Sequence, residues 1–208
     1  MQDETSRPAS RFNRRTLLKS GFLAGAAAIT IGIGSSKLAG VAHADGGLQF
    51  GWSWCSKCRG LYFGPHQSTS LCPAGGQHAG YETGSNYYYL NYNESDPGSS
   101  GSQGEWRWCG NCQGLFYGPN KAKSACPAGG NHVIGAGSFD YDPFLTADWP
   151  PGTYLQPDWN WCVNCQGFFY GPQIYESRCP APTAYNHDNG LISQGKIVSD
   201  NYTVGWDN

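Results

Sequence analysis

One pattern occurs three times in this chain and takes in every cysteine it has. The first copy reads Trp52-Ser53-Trp54-Cys55-Ser56-Lys57-Cys58-Arg59-Gly60-Leu61-Tyr62-Phe63-Gly64-Pro65 and, after a gap, Cys72-Pro73-Ala74-Gly75-Gly76-Gln77-His78. The second begins at Trp106 and runs through Cys109, Cys112, Gly114 and Gly118-Pro119 to Cys126-Pro127-Ala128-Gly129-Gly130-Asn131-His132. The third begins at Trp159 and keeps Trp161, Cys162, Cys165, Gly167, Gly171-Pro172 and Cys179-Pro180, but delays its histidine to His187. Each copy closes on Ser-x-x-Tyr, at Ser85 and Tyr88, Ser138 and Tyr141, Ser199 and Tyr202. The first cysteines stand 54 and 53 residues apart, and an internal repeat of this kind must be read before any local assignment.

The cysteine spacing is C-x2-C-x13-C in all three copies, with a histidine after five, five and seven further residues. Three thiols per copy, and nine in the chain, cannot all pair as disulfides. A tetrahedral Cys3His zinc site uses every member of the pattern. The expected ligand sets are Cys55, Cys58, Cys72 and His78; Cys109, Cys112, Cys126 and His132; and Cys162, Cys165, Cys179 and His187. With four candidate ligands each, the three Zn2+ sites read as closed and structural. Gly60, Gly114 and Gly167 are expected to allow the tight turn of a zinc knuckle. The rival reading is a disulfide in each C-x2-C pair with three loose thiols, which an oxidising compartment would favour; iron or copper in the same ligand set is a third.

Composition matters because something must hold such a chain together. From Asp45 onward there are 28 aromatic residues but only 16 Leu, Ile or Val. Structural zinc sites, worth an apparent ~10–16 kcal/mol each, would supply what so sparse an aliphatic core lacks. No stretch after residue 45 keeps apolar spacing at i, i+3, i+4 and i+7, while Phe50-Gly51-Trp52-Ser53-Trp54 and Leu61-Tyr62-Phe63 suit strands. The fold class is therefore all-β. Asn93 to Gly104 and Asp142 to Asp158, rich in Gly, Ser, Asp or Pro, read as loops.

Residues 1–44 differ in kind. A basic stretch leads into the apolar run Gly21 to Gly34 and then Ala42-His43-Ala44, the order of a cleaved signal peptide with the cut after Ala44. An apolar run of about 14 residues is short for a membrane span. The chain from Asp45 onward carries 7 basic against 13 acidic residues, which gives no footprint for nucleic acid or anionic membrane.

Nothing marks a catalytic centre: G-x-S-x-G, G-x-G-x-x-G and H-E-x-x-H do not occur. His66 is matched by Asn120 and Gln173 in the other copies and reads as a surface loop residue. The neighbouring carboxylates Asp140 with Asp142 and Glu94 with Asp96 have no repeated partner. The repeated tryptophans either pack over the metal sites or form a platform for sugar rings. Tyr87, Tyr88 and Tyr89 alternate along a strand, so at least one ring faces outward as a binding candidate.

Asn13-Arg14-Arg15-Thr16-Leu17-Leu18-Lys19 resembles a bacterial twin-arginine signal, with Asn13 and Leu17 where Ser or Thr and Phe are usual. That implies export of an already folded protein by the twin-arginine machinery, to the periplasm or the exterior. The string W-x-W-C-x-x-C-x-G-[LF]-[FY]-[FY]-G, joined to a later C-P, resembles a tandem repeat of secreted bacterial proteins with no assigned activity, over nearly all of Trp52 to Tyr202. The copies span residues 45–98, 99–151 and 152–208. They stand either as three separate units or as one pseudo-threefold, trefoil-like domain, which their number and size favour. Together these features suggest an exported, zinc-stabilised binding module for glycan or cell-envelope surfaces. Its rivals are a secreted hydrolase, using a carboxylate pair or an open third zinc site, and a structural or metal-buffering envelope protein.

Overall fold

A computed structural model describes residues 46–80, 88–92, 101–145, 154–196 and 198–206. The expected signal segment, Ser85, Tyr87, Glu94 and Asp96 lie outside them.

Each W-x-W segment pairs with the aromatic run beyond its C-x-x-C turn, making three antiparallel hairpins. These are β1 (Gly47–Trp54) with β2 (Leu61–Phe63), β4 (Trp106–Trp108) with β5 (Leu115–Tyr117), and β7 (Leu155–Trp161) with β8 (Phe168–Tyr170). Register is the same in each: Trp52 faces Phe63, Trp106 faces Tyr117 and Trp159 faces Tyr170. A 3-10 helix succeeds each hairpin, at Gly64–Thr69, Gly118–Lys123 and Gly171–Glu176, with proline in its first turn where no N–H is needed.

The turn chemistry corrects one expectation. The left-handed residue of each knuckle is not the glycine but the one before it: Arg59, Gln113 and Gln166, at φ 67°, 70° and 67°. Side chains offset the steric cost there. Gln113 donates to Gly110 O and accepts from Trp108 Nε1, and Gln166 does the same with Val163 O and Trp161 Nε1. Arg59 donates to Ser56 O and lies over the Trp54 ring. The glycines serve a different purpose, because each meets a strand of another copy: Gly60 bridges Phe169, Gly114 bridges Tyr62, and Gly167 bridges Phe116.

Those bridges close a ring. Phe63 N–H donates to Gln113 O, Tyr117 N–H to Gln166 O, and Tyr170 N–H to Arg59 O, at 2.8, 2.9 and 2.9 Å. The copies therefore form one pseudo-threefold, nearly closed antiparallel β domain. An outer layer adds β3 (Tyr88–Tyr92), β6 (Phe144–Leu145) and β9 (Tyr202–Trp206). Strand β9 of the third copy pairs with β7, with β3 of the first and with β6 of the second. Parts of Asp142 to Asp158, expected as loop, thus enter the sheet. Pro157 is tolerated because the β7–β9 register shifts between Gln156 and Trp159.

The core is aromatic. Trp52, Trp106 and Trp159 are fully buried, ringed by Leu61, Leu115 and Phe168. The closing tyrosines are exchanged between copies: Tyr141 meets Trp52 edge-on, Tyr202 meets Trp106, and Tyr88 meets Trp159. Each hydroxyl donates to the glutamine three residues before that tryptophan: Tyr141 to Gln49, Tyr202 to Gln103, and Tyr88 to Gln156. Every copy is thereby clasped by a tyrosine from another.

Candidate metal centres

The hairpin turn supplies two sulfurs, and the loop after the 3-10 helix supplies the third sulfur and the imidazole. In each copy the first cysteine N–H donates to the knuckle glycine carbonyl, as Cys55 to Gly60 at 2.9 Å. This folds the C-x-x-C segment so that both sulfurs lie on one side. The second loop turns through Gly75 and Gly76, or Gly129 and Gly130, all left-handed.

A serine that sequence reasoning passed over aligns the histidine. Ser70, Ser124 and Ser177 each stand two residues before the third cysteine. Each hydroxyl donates to a carbonyl of the preceding helix and accepts the histidine N–H: His78 at 2.9 Å, His132 and His187 at 2.8 Å. The third loop has no Gly-Gly pair and holds itself by Cys179 N–H to Tyr185 O. Its two extra residues are taken up within the turn that this bond closes, so His187 follows the acceptor by two residues as His78 and His132 do. A Ser-x-Cys-Pro signature, present in all three copies, is the signal that carried this information.

The result is three buried Cys3His groups, each with all four donor atoms within 4.8 Å of one another. The first and third cysteine sulfurs are 3.8, 3.9 and 3.9 Å apart, and the second sulfur lies 3.5, 3.5 and 3.4 Å from histidine Nδ1. With metal–sulfur and metal–nitrogen bonds of zinc length, a regular tetrahedron has S···S and S···N edges of about 3.8 and 3.5 Å. All nine cysteines are free thiols, far beyond the ~2.05 Å of a disulfide. The imidazoles are held flat on Tyr62, Phe116 and Phe169, at 4.7, 4.7 and 4.8 Å between centroids. Backbone N–H groups of Ala74 and Ala79 point at the sulfurs of Cys72 and Cys55, and Asp188 N–H points at that of Cys162. These groups can hold metal ions, and the third has the same four donors as the others.

Proton sharing results from the crowding. Hydrogen bonds from Cys58 and Cys72 hold Cys55 far below an ordinary thiol. Desolvation, then the hydrogen bond to Cys55, pushes Cys58 well up, while the Cys55 hydrogen bond raises Cys72 to about 11. The same directions recur at Cys109, Cys112 and Cys126 and at Cys162, Cys165 and Cys179. Three thiolates cannot share so small a volume without a cation to offset their charge, so a divalent ion displaces protons from the thiols as it binds. Calorimetric loading at pH 8 in buffers of different ionisation enthalpy should show about two protons released per site, with apparent affinity falling about 100-fold per pH unit on acidification. Release of one proton or none would contradict the three-thiolate set.

The remaining expected residues fall in several places. Tyr88 turns inward onto Trp159, whereas Tyr89 faces Phe50 across the sheet. His66 Nδ1 lies 3.2 Å from Gln113 Oε1, between copies. Asp140 is engaged by Arg107 at 2.5 Å and by Glu105 N–H. The first tryptophans lie between the copies in the core, and the second tryptophans sit beside the knuckle turns. Comparison with known proteins finds no family model, no curated protein and no solved structure that matches the chain.

Proposed function

We propose that this is an exported, zinc-stabilised binding module that docks on glycan or cell-envelope surfaces. Zinc is the ion that best suits three thiolates and one imidazole at these separations. Burial of all twelve donor residues suits a structural role. Loading in a reducing cytoplasm before twin-arginine export would protect the thiols, which ties the expected N-terminal signal to the metal groups.

One observation carries the binding role: an aromatic surface on the outer sheet. Phe50 is 52% exposed and its ring lies 5.3 Å from that of Tyr89. Tyr89 lies across Gly205, whose strand position leaves no space for a Cβ. Exposed Leu48 extends the surface along β1 on the same face as Phe50. An exposed Phe50 ring with the half-buried Tyr89 ring beside it on a rigid sheet suits stacking against a sugar face, each ring contributing about 1 kcal/mol.

The test is retention of the zinc-loaded mature protein on insoluble chitin, cellulose and cell-wall sacculi. Tyr89→Ala or Phe50→Ala should weaken retention about five- to tenfold while leaving metal content unchanged. Retention on none of these matrices, or retention indifferent to both substitutions, would remove the role.

A further inference from the structure

The third copy departs from the other two just after its Cys3His group. Between the histidine of that group and the closing serine, the first and second copies have six and five residues, whereas the third has eleven, Asp188 to Val198. The longer segment turns through the short helix α1 (Leu191–Gln194). Buried Asp188 fixes it, its carboxylate accepting from the N–H groups of Gly190, Ile192 and Ser193 at 2.8, 3.0 and 2.9 Å.

A second difference lies in the hairpin. At the middle of W-x-W the second copy carries Arg107, whose guanidinium pairs with Asp140 at 2.5 Å and whose stem lies over Gly118. In the third copy the matching residues are Asn160, Asn201 and Gly171. The shorter side chain leaves open the space that an arginine fills, and the inserted segment walls it. The result is a pocket of about 340 Å3 formed by the third copy alone, with Pro172, Ile174 and Leu191 on its apolar side. That volume falls at the small end of ligand pockets, about 300–1,000 Å3, and suits one sugar ring rather than a chain.

The polar side is a relay of amides that ends on a carboxylate. Asn189 Nδ2 donates to Asn160 Oδ1 at 3.0 Å, Asn160 Nδ2 to Asn201 Oδ1 at 3.2 Å, and Asn201 Nδ2 to Asp158 Oδ1 at 2.9 Å. Asn160 and Asn189 are buried, whereas Asp158 is half-buried and Asn201 exposed, so the solvent-reached end of the relay is the carboxylate. Asn201 holds Oδ1 and thereby orients Asp158, leaving Oδ2 as the acceptor for a ligand.

These groups select the ligand. None of the lining residues is basic, so an anion has no partner. The three amide oxygens already accept N–H groups of Asn160, Asn189 and Leu191, which leaves a calcium ion one carboxylate where it needs about six to eight oxygens. A neutral hydroxyl donates to a carboxylate and accepts from an amide, and the C–H face of a pyranose suits the apolar side.

We propose that this pocket binds one neutral hexopyranose residue of a surface glycan, a hydroxyl donating to Asp158 Oδ2 and the ring lying against Leu191 and Ile174. The proposal deepens the glycan reading by adding a second contact point and the class of sugar it takes, and it rests on that reading for the source of the sugar.

The experiment titrates 15N-labelled mature protein with methyl β-glucoside, methyl β-galactoside and methyl β-N-acetylglucosaminide, following the side-chain amides of Asn160 and Asn189 and the backbone amide of Gly171. At least one sugar should shift these signals with saturation on the order of millimolar, as a one-ring site allows. Sodium glucuronate and calcium chloride at the same concentrations should leave them in place. Asp158→Asn keeps the shape and suits the left-handed backbone there, φ 69°; it should weaken the sugar response at least fivefold with metal content unchanged. Leu191→Ser, at an exposed position, should act in the same direction. Asn160→Arg combined with Asn201→Asp rebuilds the second copy's ion pair inside the pocket and should abolish the response at Gly171.

Silence toward all three sugars, an equal response to calcium, or a response undiminished in both Asp158→Asn and Leu191→Ser would each overturn the proposal. A silent pocket in protein still retained on polysaccharide overturns this site and leaves the aromatic face standing. A pocket that responds in protein whose retention ignores Tyr89→Ala and Phe50→Ala overturns the face alone.

Discussion

Stripping the metal should unfold the whole domain at once rather than loosen one copy. Structural zinc sites of this ligand type contribute an apparent ~10–16 kcal/mol each, as much as the entire net stability of an ordinary domain. The largest remaining core is one aromatic cluster drawn from all three copies, and the smaller cluster in each copy is built around the cysteines themselves, so no copy has a separate reserve. The backbone ring carries the damage further. Gln113 O accepts from Phe63 N–H of the first copy, and Cys112 O accepts from Leu71 N–H at 3.4 Å. A disturbed second knuckle thus releases bonds in the first. Chelator titration monitored by circular dichroism and tryptophan fluorescence should give one cooperative loss of signal. Cys112→Ser, which removes one ligand, should lower Tm by more than about 20 °C or prevent folding. A variant that keeps two metal ions and a native spectrum near the parent Tm would show three independent units, against the closed ring.

The parts of this architecture that were legible in the sequence are those fixed by covalent spacing and residue chemistry. An odd number of cysteines per copy, each set trailed by a histidine, leaves few solutions other than a four-ligand metal group, and the twelve residues so chosen come together in space. Alternating W-x-W and the aromatic run after it were enough to mark the hairpins. What stayed hidden depends on partners far apart in the chain. Gln49, Gln103 and Gln156 each precede the first tryptophan of their copy by three residues, yet their role exists only because a tyrosine from another copy reaches them. Gly60 and its counterparts looked like turn residues because local reasoning sees the turn and not the neighbouring strand. Pro157 marked a loop by local rules, but a register shift in β7 made it compatible with pairing. The aromatic excess was ambiguous for the same reason: the same ring type fills the core at Phe168 and meets solvent at Phe50.

The exchange of tyrosines makes the closure itself measurable. Trp106 is fully buried and touches Tyr117 of its own hairpin, but Phe168 and Tyr202 of the third copy meet it edge-on at 4.8 and 5.5 Å. Trp106→Ala should therefore cost about 3–5 kcal/mol, since an indole is lost from a fully buried site whose walls belong to two copies. Denaturant unfolding of the zinc-loaded protein should show this as a lower midpoint with an unchanged slope. Tyr202→Phe removes only the hydroxyl that donates to Gln103, and should cost about 0.5–1 kcal/mol, since Gln103 Oε1 still accepts from Trp106 Nε1. Truncation to Tyr202→Ala reaches the ring contact as well. Combined with Trp106→Ala in a double-mutant cycle, it should reveal a coupling of about 0.5–1.5 kcal/mol between residues 96 positions apart in the sequence. Zero coupling would mean that the second and third copies lie side by side without the tyrosine joining them. Measurable coupling here, and between Tyr141 and Trp52, would establish that each copy is completed by another, which is why a single copy cut from the chain lacks part of its own core.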